Sequence, residues 1–153
     1  MIALGDPRVV RAAAMLGAAS GSRSTAGLAG LALTSRSARL AQAPVRIAVA
    51  GAAGTELVID KLPMTPSRLA PGSIAVRALT GAGSGVLVAR RRNASGARPL
   101  GAAALVGALA AVAATGLGAG WRAVAARRFG HDLPGAGAAD LATAALVLLA
   151  TRS

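Results

Sequence analysis

From Leu100 to Trp121 the chain reads LGAAALVGALAAVAATGLGAGW, 22 residues without a charge. A helix rising about 1.5 Å per residue needs about 20 residues to cross a hydrocarbon core about 30 Å thick. This stretch is long enough, and it is longer than an uncharged helix buried in a soluble domain needs to be. Pro99 stands just before it, where a missing N–H costs nothing, and Trp121 with Arg122 closes it as an interfacial anchor. The span predicts an all-α fold, a polytopic transmembrane helical bundle.

Composition agrees. The chain has 153 residues and is 54% hydrophobic, with one Phe, one Trp and no Tyr, at a mean hydropathy of +0.60. Soluble cores of this size draw on aromatics for buried area. Here Ala, Gly, Leu and Val carry the apolar content, which suits helices that pack closely in lipid. The absence of cysteine excludes disulfides, thiolate metal sites and cysteine nucleophiles. No cofactor is expected.

The net charge is +12, from 17 basic and five acidic residues. The arginines cluster at Arg36/Arg39/Arg46, Arg90/Arg91/Arg92/Arg98 and Arg122/Arg127/Arg128, with long neutral stretches between. A nucleic-acid surface would spread them over one face and interleave aromatics for stacking. The pattern is that of membrane-protein loops, so the expected partner is the lipid bilayer and not nucleic acid.

About five Ala/Gly-rich segments follow, in a single integral membrane domain over 1–153: residues 12–33, 40–60, 69–89, 100–121 and 133–151. The first is predicted to break or kink at Gly21-Ser22-Arg23-Ser24-Thr25, weak helix formers that compete for backbone hydrogen bonds. The second has only 13 apolar residues, Ile47 to Ile59, with Glu56 among them. It spans only if extended back towards Arg39 with Arg46 snorkelling, or if the bilayer thins. Arg8 and Arg11 before Ala12–Ala19 also suit a signal peptide. The stretch is poor in leucine and further apolar segments follow, which favours retention.

Five spans give no orientation. Seven basic residues (Arg8, Arg11, Lys61, Arg68, Arg122, Arg127, Arg128) fall on one side and eight (Arg36, Arg39, Arg46, Arg90, Arg91, Arg92, Arg98, Arg152) on the other. Either a span is miscounted, or the protein inserts both ways and forms an antiparallel homodimer or other homo-oligomer.

The charges inside apolar segments are the candidate polar site: Arg23, Glu56, Asp60, Arg77 and Asp140. A charge at the bilayer centre costs at least about 2.5–3.5 kcal/mol, so it turns inward to a partner. Glu56 and Asp60 share a helix face at i,i+4 spacing. Either a cation such as Arg23 or Arg77 sits between them, or one is protonated. A structural version pairs Arg23 with Glu56 to fix register. An active version has the carboxylates carry a proton or cation along a pathway. Asp60, beside Lys61 and Pro63, also suits a helix end.

Close packing is expected at the G-x-x-x-G pairs Gly17/Gly21, Gly81/Gly85 and Gly116/Gly120. The stretches Gly17–Arg23 and Gly116–Arg122 both read G-x-x-x-G-x-R, and an acid follows each in the next segment. With three spans between them they form a weak inverted repeat. Enzyme motifs are missing. His131 is the single histidine, and Gly81, Gly83 and Gly85 follow no strand and carry no lysine, so they make no phosphate loop.

The stretch Glu56-Leu-Val-Ile-Asp60-Lys61-Leu62-Pro63 resembles the E-x-x-x-D-K-[I/L]-P signature of the bacterial membrane-protein family called domain of unknown function 4126. Gly21-Ser22-Arg23 is similar to the family's early G-x-R. The paired acids of the family's last helix are replaced here by Ala139-Asp140. The resemblance implies a multi-pass protein of the bacterial inner membrane and brings no activity with it. Three functions stay open: a channel or transporter for a small ion or proton-coupled solute, an accessory subunit whose ion pairs specify packing, and a basic peripheral protein.

Overall fold

The computed structural model describes residues 6–34, 70–130 and 133–152. The expected segment 40–60, with Glu56, Asp60 and the E-x-x-x-D-K-L-P motif, lies outside the described residues, as does His131. The described chain is all-helical: α1 (Pro7–Ser22), α2 (Ala26–Thr34), α3 (Pro71–Arg91), α4 (Ala97–Phe129) and α5 (Leu133–Arg152). Among the described residues, three helices are long and apolar enough to cross a membrane: Pro71–Arg91, Ala97–Phe129 and Gly135–Arg152.

Local chemistry sets the ends. Asp6 caps α1, its carboxylate accepting from the Arg8 N–H at 2.8 Å, with Pro7 at the first helical position. Pro71 opens α3 in the same way, and Arg90 and Arg91 lie in its last turn, where cations meet the helix dipole favourably. α4 does not stop at Trp121 as the uncharged span suggests. It runs on through Arg122, Arg127 and Arg128 to Gly130, whose φ of 73° ends it. Nothing in Trp121–Phe129 opposes a helix, and a left-handed glycine does.

The first apolar segment breaks where its sequence predicts: α1 ends at Ser22 and α2 begins at Ala26. The break is also a reversal. A Cβ on Gly27 would meet the Leu16 carbonyl and the Ser20 hydroxyl of α1. In a straight helix Gly27 would stand about 16 Å beyond Leu16. α2 therefore folds back along α1, and the two form a helical hairpin. Its two mouths lie at one end of the bundle. Arg91, at the end of α3, donates to the Thr34 carbonyl at 2.8 Å. Asp6 and Val9 share a shallow cavity with Arg92, Asn93 and Pro99.

Small residues make this closeness available. Val9, Ala13, Gly17 and Gly21 on α1 recur every four residues and are buried. So do Arg77, Gly81, Gly85 and Ala89 on α3, and Ala103, Gly107, Ala111 and Thr115 on α4. The three stripes meet. A Cβ on Gly17 would overlap the Gly107 carbonyl, one on Gly21 the Ala111 carbonyl, and one on Gly85 the Ala103 carbonyl. α1 touches all four other helices. Leu16, Leu31 and Val88 are buried, but many large apolar side chains point outward: Leu117 and Leu141 are each 75% exposed. That is the reverse of a water-soluble bundle and suits a lipid surround.

Gly17, Gly21, Gly81 and Gly85 each lie against the backbone of a neighbouring helix. Gly116 and Gly120 have nothing within 4 Å among the described residues. The two halves of the G-x-x-x-G-x-R repeat also differ locally, since the first ends a helix and the second lies inside α4.

Candidate functional site

The hairpin tip, Arg23-Ser24-Thr25, is non-helical. Reversing there strips α1 of partners for its last carbonyls, and these must be satisfied in a setting where water is scarce. Arg77 of α3 meets that need. Its side chain is 5% exposed. Nη1 donates to the Gly21 carbonyl, and to the Ser22 carbonyl at 3.2 Å, while Nε donates to the Ser73 hydroxyl at 3.3 Å. A cation on the C-terminal carbonyls also complements the helix dipole. Thr115 of α4 donates to the same Gly21 carbonyl at 3.1 Å and to the Ala111 carbonyl at 2.8 Å. One carbonyl thus ties α1, α3 and α4 together.

Arg23, the C-cap of α1, is extended at φ −142°, ψ 124°. That conformation aims its side chain across to α5. Nε and Nη2 donate to one Asp140 carboxylate oxygen, Oδ1, at 2.9 and 2.6 Å. The Arg23 side chain is 13% exposed and the Asp140 side chain 43%. Such charge-assisted bonds are the strong ones. They close the tip against α5.

The depth of this cluster follows from helix rise. Arg77 is six residues into α3 and Asp140 seven into α5, each about 9–10 Å from that end of its helix. From the opposite end, the 16 residues of α1 reach about 24 Å. Together these lengths are close to the roughly 30 Å of a hydrocarbon core, and the cluster falls within the apolar length of the long helices.

Of the candidate site residues, the structure brings Arg23, Arg77 and Asp140 together. Arg23 engages Asp140, whereas the partner expected for it, Glu56, lies outside the described residues with Asp60. Thr115 is a site residue that the sequence does not single out, although it is the one hydroxyl in the uncharged span from Leu100 to Trp121. Ser20 and Ser84 are two more. They are fully buried and 3.5 Å apart below the tip, and Ser84 donates to the Thr80 carbonyl at 2.8 Å. Serines in a Gly/Ala run read as small packing residues, so nothing in their own spacing sets them apart.

The arrangement can hold a helix break inside the bundle and present one carboxylate beside one guanidinium. Thr115→Val removes one of two donors to Gly21 and is expected to cost about 1 kcal/mol. Arg77→Leu removes three hydrogen bonds from a charged group and is expected to cost about 2 kcal/mol or more. Thermal unfolding in detergent checks the order, and equal melting temperatures for both variants would contradict it.

The chain matches no protein-family model, no curated protein and no solved structure. Its class rests on fold and site: the described residues are all-helical, with three membrane-length apolar helices packed around a broken hairpin whose tip is polar.

Proposed function

We propose that the chain is a multi-pass protein of the bacterial inner membrane that moves a small ion or a proton-coupled solute. Asp140 is the carboxylate that loads and releases, and Arg23 is its counter-charge. The carrying observation is the unequal burial of the pair. The Asp140 side chain is 43% exposed while Arg23 is 13% exposed. A pair that served only to lock two helices would exclude its surroundings from both groups. An accessible carboxylate at membrane depth can exchange its arginine for a proton or a cation. A helix interrupted at that depth supports the same reading, because transporters place binding sites at broken helices.

Glu56 and Asp60 enter the proposal as further carboxylates on the pathway. Membership of the domain of unknown function 4126 family belongs to it as well, carried by the Glu56–Pro63 motif. Self-association is supported by the open small-residue surface of Gly116 and Gly120.

The test is flux in proteoliposomes, with protons read by a pH-sensitive dye and sodium or potassium by isotope uptake. Asp140→Asn keeps the side-chain volume and removes the charge. It is expected to lower flux at least tenfold while the helical content is retained. Flux equal to that of the unmodified protein would overturn the reading. The accessory-subunit alternative rests on Arg77 and Thr115, which converge on the Gly21 carbonyl as a purely structural cap would. It expects no flux from the unmodified protein for any of the three cations.

A further inference from the structure

With the hairpin in place, the arginines of the described residues no longer balance. α1 starts and α2 ends at the same end of the bundle, so Arg8 and Arg11, in the first turns of α1, join Arg90, Arg91 and Arg92 at the end of α3. Arg98, at the start of α4, lies there too. Arg152 lies there as well: Val88, Arg91, Ala150 and Arg152 line one cavity, and Arg92 donates to the Ala150 carbonyl at 3.4 Å. At the opposite end, the described residues contribute Arg122, Arg127 and Arg128 of α4. There Trp121, Phe129 and Gly135 share a cavity where α4 passes to α5. Arg23 and Arg77 are interior. Among the described residues the basic end therefore carries seven arginines and the other end three.

With every apolar segment counted as a full span, these same ten arginines divide five against five and set no orientation. The difference comes from α1 and α2, which count as one crossing in a linear reading and as none in the structure.

We infer that the α1–α2 hairpin is re-entrant, entering and leaving the bilayer from one side, and that this side is the cytoplasmic face. The partner surface it fits is the anionic headgroup layer of the inner leaflet. Short arginine-rich flanks are retained on the cytoplasmic side during insertion, and anionic headgroups attract them once there. The hairpin is shorter than a span and polar at its tip. Its non-helical backbone is tolerable at membrane depth because α3, α4 and α5 enclose it. A re-entrant hairpin requires an integral protein. It does not require that the protein transport anything.

The chain holds no cysteine, so single-cysteine variants report one position each. Arg8→Cys and Thr34→Cys mark the two mouths of the hairpin, and Ser95→Cys marks the turn after α3. Gly72→Cys and Phe129→Cys mark the opposite end. A membrane-impermeant maleimide is applied to intact spheroplasts of the expressing cell, then to permeabilised ones. Positions 72 and 129 are expected to label in intact spheroplasts. Positions 8, 34 and 95 are expected to label only after permeabilisation. Two markers for each end keep the result readable if one variant fails to accumulate. Opposite sidedness of positions 8 and 34 would overturn the re-entrant hairpin. The same sidedness with label from outside would overturn the orientation, and label at all five positions in intact spheroplasts would show dual insertion and overturn it too.

Discussion

Arg23→Ala should lower stability by about 2 to 3 kcal/mol, the cost of breaking a buried ion pair reduced because Asp140 is 43% exposed. The loss falls on the partner left behind. Without the guanidinium, the Asp140 carboxylate is left in an apolar stretch of α5 with its two charge-assisted bonds removed. Removing Asp140 as well relieves that penalty. Arg23→Ala combined with Asp140→Ala is therefore expected to cost less than the sum of the two single changes, with a coupling of about 1 kcal/mol. Unfolding in detergent with increasing denaturant measures all three variants and the parent. Strict additivity would mean that the pair contributes nothing to holding the tip against α5.

The second large effect is at Gly107. It sits where the three stripes converge: Cβ atoms on Gly17 and Gly81 would both overlap its carbonyl, and its own Cβ would overlap the Gly81 carbonyl. Backbone meets backbone there, so no side chain can turn away to make room. Gly107→Leu is expected to separate α1, α3 and α4 and to cost about 3 kcal/mol or more, at the upper end of overpacking effects. Gly116→Leu adds the same side chain to the same helix at a position with open space around it. Its cost should be within about 0.5 kcal/mol. Monodispersity on size exclusion and the melting temperature check the contrast. Similar losses for the two variants would mean that α4 is sensitive along its whole length and not at the glycine contact.

Much of this is legible in the sequence, for identifiable reasons. The absence of charge marks the core of α4, and the prolines at positions 7 and 71 mark two helix starts. Gly21-Ser22-Arg23-Ser24-Thr25 announces a break because each of these residues weakens a helix locally. The reversal is not legible. A run of 22 residues from 12 to 33 has the length of one span, and local propensity fixes where a helix stops without fixing the direction in which the chain resumes. That direction is set by Gly27 and Gly30, which let α2 lie against α1 and α5, and a lone glycine in an apolar run carries no such label. Arg23 and Asp140 are each recognisable as intramembrane charges. Their pairing spans 117 residues and depends on the hairpin, so spacing along the chain could not reveal it. Gly17, Gly21, Gly81 and Gly85 stand out by their spacing, whereas Gly107 is flanked at the same spacing by Ala103 and Ala111 and so shows no glycine pair.

One cross-link tests the hairpin directly. A Cβ on Gly30 would stand 3.3 Å from the Cβ of Val147 on α5, close to the separation a disulfide needs. If α1 and α2 formed a single span pinned at Arg23 and Asp140, Gly30 and Val147 would lie seven residues to opposite sides of that pin, about 20 Å apart. The double variant Gly30→Cys/Val147→Cys, oxidised mildly in native membranes, should give an intramolecular disulfide seen as a shift on non-reducing gels. No cross-link between these positions, in a protein that inserts and unfolds like the parent, would contradict the hairpin.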